Sequence, residues 1–423
     1  MTYVEFLDQN IAENICACIT VVPERVVIVG ADTKVIYRHI ERYKELFANR
    51  GYNVEFVARA VNHNKLYAIV ELISEIVEAY DDCYFGLTGG GDLFLVAMGI
   101  VSERYKHKKL QMHRFNLKNN TVIDCDLDGK TLFEGSLPQL SVVENIRLFG
   151  GEVVGCDKKA SGTYNWNFDN DFKKDVCDIW EICKGNPKAW NAQIGAFAAI
   201  DSVGSNSPDG LSCTVNLSDL EQFYENSNTR SVYKPWIVKS LLSKGLLTAY
   251  FEQFGQLYVS FKNHQVKRCL TRAGLALELK ITLIAMELRE KNGDVVYNDV
   301  LNGVYIDWDG EIHTKAGEHD IENEIDVMMM HGIIPVFVSC KNGQIETEEL
   351  YKLNAVADKF GGSYAKKVIV ASALGNSQRD NALRSRAASL GIQIVDRVTE
   401  RSDAELKRRI MHLWEGNVNQ PKS

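Results

Sequence analysis

Strands and helices alternate through the first 117 residues, and that alternation limits the fold more than any other feature of the chain. The run ERVVIVGAD (24–32) is apolar almost throughout and ends in Gly30-Ala31-Asp32. Behind it Val35, Ile36, Ile40, Tyr43, Leu46 and Phe47 recur at helical spacing until Gly51 supplies a stop. The same reading predicts strands over 53–61, 82–88 and 109–117, with helices between them over about 64–80 and 92–106. Strands that are nearly all apolar belong in a parallel sheet covered on both faces, so this part predicts a doubly wound α/β unit.

The 423 residues suit two to three domains of roughly 100–200 residues each. A chain that is 45% hydrophobic and 25% charged is globular rather than disordered. No window approaches the ~18 apolar residues of a membrane span, and MTYVEFLDQN lacks the basic-then-apolar layout of a leader. Ten Cys without regular spacing fit reduced thiols, so a cytoplasmic protein with no membrane partner is expected. Cys16 and Cys18 have no second pair or His cluster beside them and read as half-buried strand thiols, not a zinc site. The net charge of −8 excludes a basic nucleic-acid coat. From Lys341 onward, however, 14 Lys and Arg stand against 10 Asp and Glu, which leaves room for a local polyanion site.

Residues 125–165 are polar and turn-rich and set a first boundary near 150. Helices over about 169–184 and 187–201 follow, then the loop NSPDGLS. Next come a helix (SVYKPWIVKSLLSKG), a strand (LLTAYFE), a turn (QFGQ), a strand (LYVSF) and a further helix, an order that resembles a winged helix. With only Lys234, Lys239 and Lys244 on its candidate reading helix, this element reads as a spacer before a DNA reader. A third α/β unit runs from 271. The expected domains are therefore 1–150, a helical and winged-helix-like connector over 151–270, and 271–423.

Thr88-Gly89-Gly90-Gly91-Asp92 lies between an apolar strand and a helix. Consecutive glycines let backbone N–H groups approach an anion at a helix N-terminus. Thr88 can donate a hydroxyl, and Asp92 either caps the helix or accepts a ribose hydroxyl. Gly30-Ala31-Asp32-Thr33 and Asn62-His63-Asn64 end the preceding strands and would join the same carboxyl-end rim, with His113 nearby. The loop is neither GxGxxG nor a GK[ST] phosphate loop.

The strand ending in VGAD and the later strand running into TGGGD resemble the CARF domains of type III CRISPR effectors over roughly the first 130 residues. That resemblance implies a Rossmann-like domain that forms a homodimer and cradles a cyclic oligoadenylate. It makes Ala31, Asp32, Thr33, Asn62, Thr88, Gly89, Gly90, Gly91 and Asp92 the ligand-binding residues.

In the third unit, ENEIDVMMM (322–330), His331-Gly332 and IIPVFVSCKNG (333–343) read as a hairpin. Period-two alternation puts Ser339 and Lys341 on one face, with Asp326 on the adjoining strand. An acidic residue, a hairpin, then a polar residue two before a lysine is the layout of PD-(D/E)XK nucleases. There a carboxylate holds Mg²⁺ or Mn²⁺, the metal polarises the scissile phosphate, and lysine orients the water. Upstream, TRAGLALELKITLIAMELREKNG (271–293) predicts a helix with Glu278 at the edge of its apolar stripe. Glu278 either reaches an enclosed metal site or forms an exposed pair with Arg272 or Lys280.

NEIDV, CKNG, a helix and GG together resemble the restriction-endonuclease-like half of Card/Can effectors, which are activated by cyclic tetra-adenylate. The resemblance implies Glu278 and Asp326 as metal carboxylates and Lys341 as catalytic lysine. The chain departs from the motif at Ser339, which replaces a carboxylate. The Ser339 hydroxyl or the Cys340 carbonyl would then contribute to the metal, with Glu324 as replacement charge. The expected protein is a cytoplasmic, homodimeric, metal-dependent nuclease acting on single-stranded DNA or RNA, with nicking of duplex DNA also open. Two other readings stand beside it: a catalytically silent, ligand-responsive nucleic-acid-binding regulator, and a CARF protein that cleaves its own cyclic activator.

Overall fold

The computed structural model describes residues 1–8, 11–87, 89–108, 110–116, 121–126, 128–136, 138–156, 162–227, 233–310 and 322–415. The first sheet is built from β1 (Thr2–Phe6), β2 (Arg25–Gly30), β3 (Glu55–Ala60), β4 (Cys83–Gly86), β5 (Gln111–Asn116), β6 (Thr121–Asp126) and β7 (Thr131–Ser136). Helices α1 (Ile11–Val21), α2 (Thr33–Asn49), α3 (Leu66–Ala79) and α4 (Gly91–Arg104) connect its first five strands. The strand order is β3-β2-β1-β4-β5-β6-β7, parallel up to β5 and antiparallel beyond. The doubly wound expectation therefore holds. The order reverses direction at β1, so the loops leaving β1 and β4 flank a topological switch point.

Three differences stand out. The amino-terminal run Thr2–Phe6 is the central strand, buried at every position. Alternation does not disclose it, because Glu5 lies inside at 0% exposure among apolar neighbours. The stretch over 125–165 is also more ordered than its polarity suggests. It completes β6 and β7, then forms α5 (Val142–Leu148) and β8 (Glu152–Val153). A capping box between Ser141 and Glu144 starts α5. Cys16 and Cys18 are buried in helix α1, not in a strand; burial pushes both thiols up, so they remain protonated packing groups.

The middle part holds α6 (Asn170–Gly185), α7 (Pro187–Val203), β9 (Ser205–Asn206), β10 (Ser212–Asn216), α8 (Leu217–Ser227), α9 (Pro235–Ser243), β11 (Leu247–Gln253), β12 (Gln256–Phe261) and α10 (His264–Thr271). The helix, hairpin, helix order is the one expected, and β10 and β9 widen its antiparallel sheet to β11-β12-β10-β9. Phe254 (φ 51) and Gly255 (φ 73) close the hairpin, both left-handed as a two-residue turn requires.

The last part comprises α11 (Leu275–Glu287), β13 (Asp299–Asp307), β14 (Glu322–His331), β15 (Ile334–Lys341), α12 (Thr347–Gly361), β16 (Lys366–Ala371), α13 (Gln378–Ser389), β17 (Ile392–Val395) and α14 (Asp403–Met411). Its sheet runs β17-β16-β15-β14-β13-β8, so β8 from well upstream supplies one edge. Helix α11 is shorter than its apolar pattern and buries every side chain from Leu275 to Ala285, including Glu278. Among the described residues no helix is long and apolar enough to cross a membrane.

The first and last units touch directly. Glu13 on α1 is 4% exposed and accepts a hydrogen bond from Tyr364, in the 3-10 turn Gly362–Tyr364. Burial pushes the Glu13 carboxyl up to about 7, against the pull of that bond. A carboxyl raised in the folded state stabilises the fold below its ordinary pKa, and the benefit is lost as pH rises towards 7. Replacing Glu13 with Gln should remove this dependence. The stability difference between wild type and Glu13→Gln should change by about 2–3 kcal/mol between about pH 5 and about pH 8, the wild type losing ground. Urea unfolding at the two pH values measures it, and an unchanged difference would contradict the assignment.

Candidate active site and ligand rim

The hairpin of the last unit opens where the chemistry sits. Pairing of β14 with β15 runs from His331↔Ile334 only to Val327↔Val338, while β14 continues against β13 down to Glu322. At the resulting fork Asp326 turns its carboxylate across the gap. Cys340 N–H donates to its Oδ2 at 2.6 Å, and the Ser339 hydroxyl donates to the same oxygen at 3.2 Å. The facing position on β13 is Gly303, left-handed at φ 59; this pair is missing from the ladder, while the register is the same on either side, at Asn302↔Val327 and Val304↔Ile325.

A cleft of about 400 Å³ lies beside this fork, lined among others by Glu278, Asn302, Glu324, Asp326, Cys340 and Lys341. Sequence reasoning thus brings together all of its catalytic and metal candidates save one. Ser339 does not line this cleft; it lines a neighbouring cavity together with Asp326, Lys341 and Glu349. Its hydroxyl is spent on Asp326. The exposed-pair alternative for Glu278 fails, because Glu278 is buried and Lys280 pairs with Asp403 at 2.7 Å.

Burial raises the Glu278 carboxyl well above its usual range, and the neighbouring Asp326 and Glu324 push it further. Asp326 is raised mainly by burial, with the Cys340 N–H and Lys341 offsetting part of that. Burial pulls the Lys341 ammonium down. Glu349, at 2.8 Å from Nζ, and Asp326 outweigh burial, so the lysine stays charged. Burial pushes the Cys340 thiol well up, so it stays protonated, and the carbonyl is the Cys340 atom open to a cation.

Among the described residues no three His, Cys, Asp or Glu side chains form a ready-made metal cluster. The donor chemistry nonetheless fits a hard divalent cation. Two mutually repelling carboxylates, Glu278 buried and Asp326 half-buried, share the cleft with Asn302, whose Oδ1 is buried without a hydrogen-bond partner. Asn302 also donates from Nδ2 to the Asp326 carbonyl at 3.1 Å. Sequence reasoning missed Asn302 and Glu349. Asn302 was detectable as a polar residue in the buried phase shared with Val304 and Ile306. Glu349 carries no such mark.

The ligand-rim candidates lie where parallel strands end. Asp32 caps α2, accepting from Lys34 N at 2.7 Å and Val35 N at 3.1 Å. Ala31, Asp32, Thr33 and Asn62 are exposed, and Asn62 Oδ1 accepts from Asn64 N at 3.0 Å. The cap of α4 is Gly90 (φ 91), not Asp92, which is exposed in the first turn. Gly89 is buried against the end of β1, and Gly91 is exposed. Thr88 lies outside the described residues. His113 does not reach the rim, being fully buried with its ring edge-on to Tyr3 at 5.6 Å. Beneath the glycines Glu5 accepts from Asn14 Nδ2 at 2.7 Å, and burial keeps its carboxyl well above the usual range.

Residues 292–413 match the family model of the Card1-like endonuclease domain. The matched segment holds Asp326, Ser339, Cys340 and Lys341 together with β13 to α14, but not Glu278. The chain thus carries a Card1-like endonuclease domain. In overall fold it is similar to protein VC1899 from Vibrio cholerae, with 18% identity, a TM-score of 0.64, and coverage of 98% of this chain and 97% of that one. It is also similar to Can2 from Sulfobacillus thermosulfidooxidans, solved with cyclic tetra-adenylate, at 14% identity and a TM-score of 0.64, covering 98% and 99% of the two chains. No curated protein matches the chain in sequence.

Proposed function

We propose that the chain is a metal-dependent endonuclease of CRISPR antiviral defence, switched on by a cyclic oligoadenylate, with cyclic tetra-adenylate as the activator. The observation that carries the reading is Asp326 at the β14–β15 fork, sharing one cleft with Glu278 and Lys341 inside the endonuclease-matched region. Residues 1–150 form the sensor, 151–270 the connector and 271–423 a PD-(D/E)XK-type nuclease. The working unit is a cytoplasmic homodimer, so that one ligand meets both glycine rims. Similarity in fold to a Can2 that holds cyclic tetra-adenylate supports the choice of ligand.

Glu278 and Asp326, with the Asn302 and Cys340 carbonyl oxygens, would hold Mg²⁺ or Mn²⁺, which supplies Lewis-acid polarisation of the scissile phosphate and an activated water. The Cys340 N–H and Ser339 hydroxyl fix the Asp326 carboxylate, and Asn302 ties the strand beneath it. Lys341, kept cationic by Glu349, orients the attacking water and offsets the charge that develops on phosphate. With Ser339 in place of a carboxylate the donor set is short of charge, so Mn²⁺ should support faster cleavage than Mg²⁺.

The test is to incubate the protein with single-stranded DNA and RNA, with and without cyclic tetra-adenylate, in Mg²⁺ or Mn²⁺. Cleavage that needs both the ligand and a metal, and runs faster in Mn²⁺, is expected. No cleavage under any combination would leave a silent, ligand-responsive regulator. Loss of the cyclic ligand alone would indicate an enzyme that degrades its own activator.

A further inference from the structure

The catalytic cleft has a second wall, and it comes from the connector. Opposite Glu278, Glu324 and Asp326 stand Tyr164 and Trp166, with Arg268 in the last turn of α10 and Arg272 just beyond it. We propose that this wall seats the substrate: Arg268 and Arg272 hold a backbone phosphate next to the scissile one, and Tyr164 and Trp166 stack a neighbouring unpaired base. This rests on the nuclease reading above and adds the residues that grip its substrate.

Three observations carry it. Lys341, which also pairs with Glu349, is a single cation beside several carboxylates, so a second backbone phosphate next to the scissile one needs cations from elsewhere. Arg268 supplies one: it makes no ion pair among the described residues, and its Nε is buried without a hydrogen-bond partner. A half-buried guanidinium that lines a cleft and keeps a buried, idle donor is costly unless an anion arrives. Burial and the nearby Arg272 pull the Arg268 guanidinium below its ordinary range, a strain that a phosphate would relieve.

The aromatic side is held in place. Arg268 lies over the Tyr164 ring at 4.3 Å, Tyr164 meets Trp166 edge-on at 4.6 Å, and Trp166 stacks on the buried Phe172 at 5.4 Å with only 7° between the planes. A rigid ring wall beside paired arginines is how single strands are held without reading sequence. The two walls are locked together by a reciprocal amide pair: Asn191 on α7 donates to the Asn342 carbonyl at 2.8 Å, and Asn342 Nδ2 donates to Asn191 Oδ1 at 3.0 Å.

The test measures binding of a short fluorescein-labelled oligothymidine by anisotropy, in EDTA with cyclic tetra-adenylate present, across a series of KCl concentrations. Each arginine that neutralises a phosphate makes the slope of log K against log salt shallower by about 0.7 when replaced by alanine. Arg268→Ala and Arg272→Ala should each do so and raise KM about tenfold or more, with kcat less affected. Arg268→Lys should restore the slope, and Tyr164→Ala should weaken binding with the slope unchanged. Asp326→Asn should keep the wild-type slope while losing cleavage. A wild-type slope in the double arginine variant, with melting temperature retained, would overturn the clamp and leave the nuclease reading intact. Binding that follows the expected slopes in a protein that cleaves nothing would instead sink the nuclease reading and keep the clamp.

Discussion

Replacing Asp326 with asparagine is expected to lower cleavage by on the order of 10²–10³-fold or more, with the protein still folded. The amide oxygen can go on accepting the Cys340 N–H, so the fork between β14 and β15 survives while the charge is lost. Alanine at the same place is the harsher change, because it leaves the Cys340 N–H without its partner at a cost of about 1–3 kcal/mol. Lys341→Ala should be as damaging to cleavage but gentler on stability, since Glu349 is partly exposed and can be solvated. Initial rates on a labelled single strand, with melting curves alongside, separate the two effects. Undiminished cleavage by Asp326→Asn or Lys341→Ala would remove the cleft from consideration.

Gly89→Ala is expected to abolish ligand-stimulated cleavage, while Gly91→Ala should be mild. An added Cβ at Gly89 would sit 1.9 Å from the Phe6 carbonyl oxygen and 2.5 Å from Asn14 Nδ2. Phe6 ends the central strand β1, so the loop must lift away instead, and both ligand affinity and about 1–3 kcal/mol of stability go with it. At Gly91 nothing lies within 4 Å and only the left-handed backbone (φ 66) resists, which costs about 1–2 kcal/mol. Calorimetric titration with cyclic tetra-adenylate measures both variants. Wild-type affinity in Gly89→Ala would mean that the ligand binds elsewhere.

What the sequence disclosed follows from which interactions are local. Asp326 and Lys341 could be paired because a tight hairpin fixes register, and alternation then decides which side chains share a face. The glycine loop was legible because strand, Gly run and helix succeed one another directly. The central strand β1 was not, since a buried Glu5 breaks its apolar pattern and the compensating Asn14 lies on another element. Strand β7 carries polar residues at the sheet edge and looked like loop. Glu349 escaped notice because its meeting with Lys341 depends on how α12 docks on the sheet. The aromatic and cationic wall joins segments about a hundred residues apart, and no spacing rule links Tyr164 to Arg268.

The most direct measurement of the central claim is the rate of single-strand cleavage in Mn²⁺ as cyclic tetra-adenylate is titrated from zero to saturation. A ligand shifts an equilibrium only by its differential affinity for the active arrangement, so the rate should start near background and rise to a plateau, half-maximal near the ligand's own dissociation constant. A rate that is already maximal without ligand, or that stays at background when the rim is saturated, would contradict a nuclease governed by this sensor.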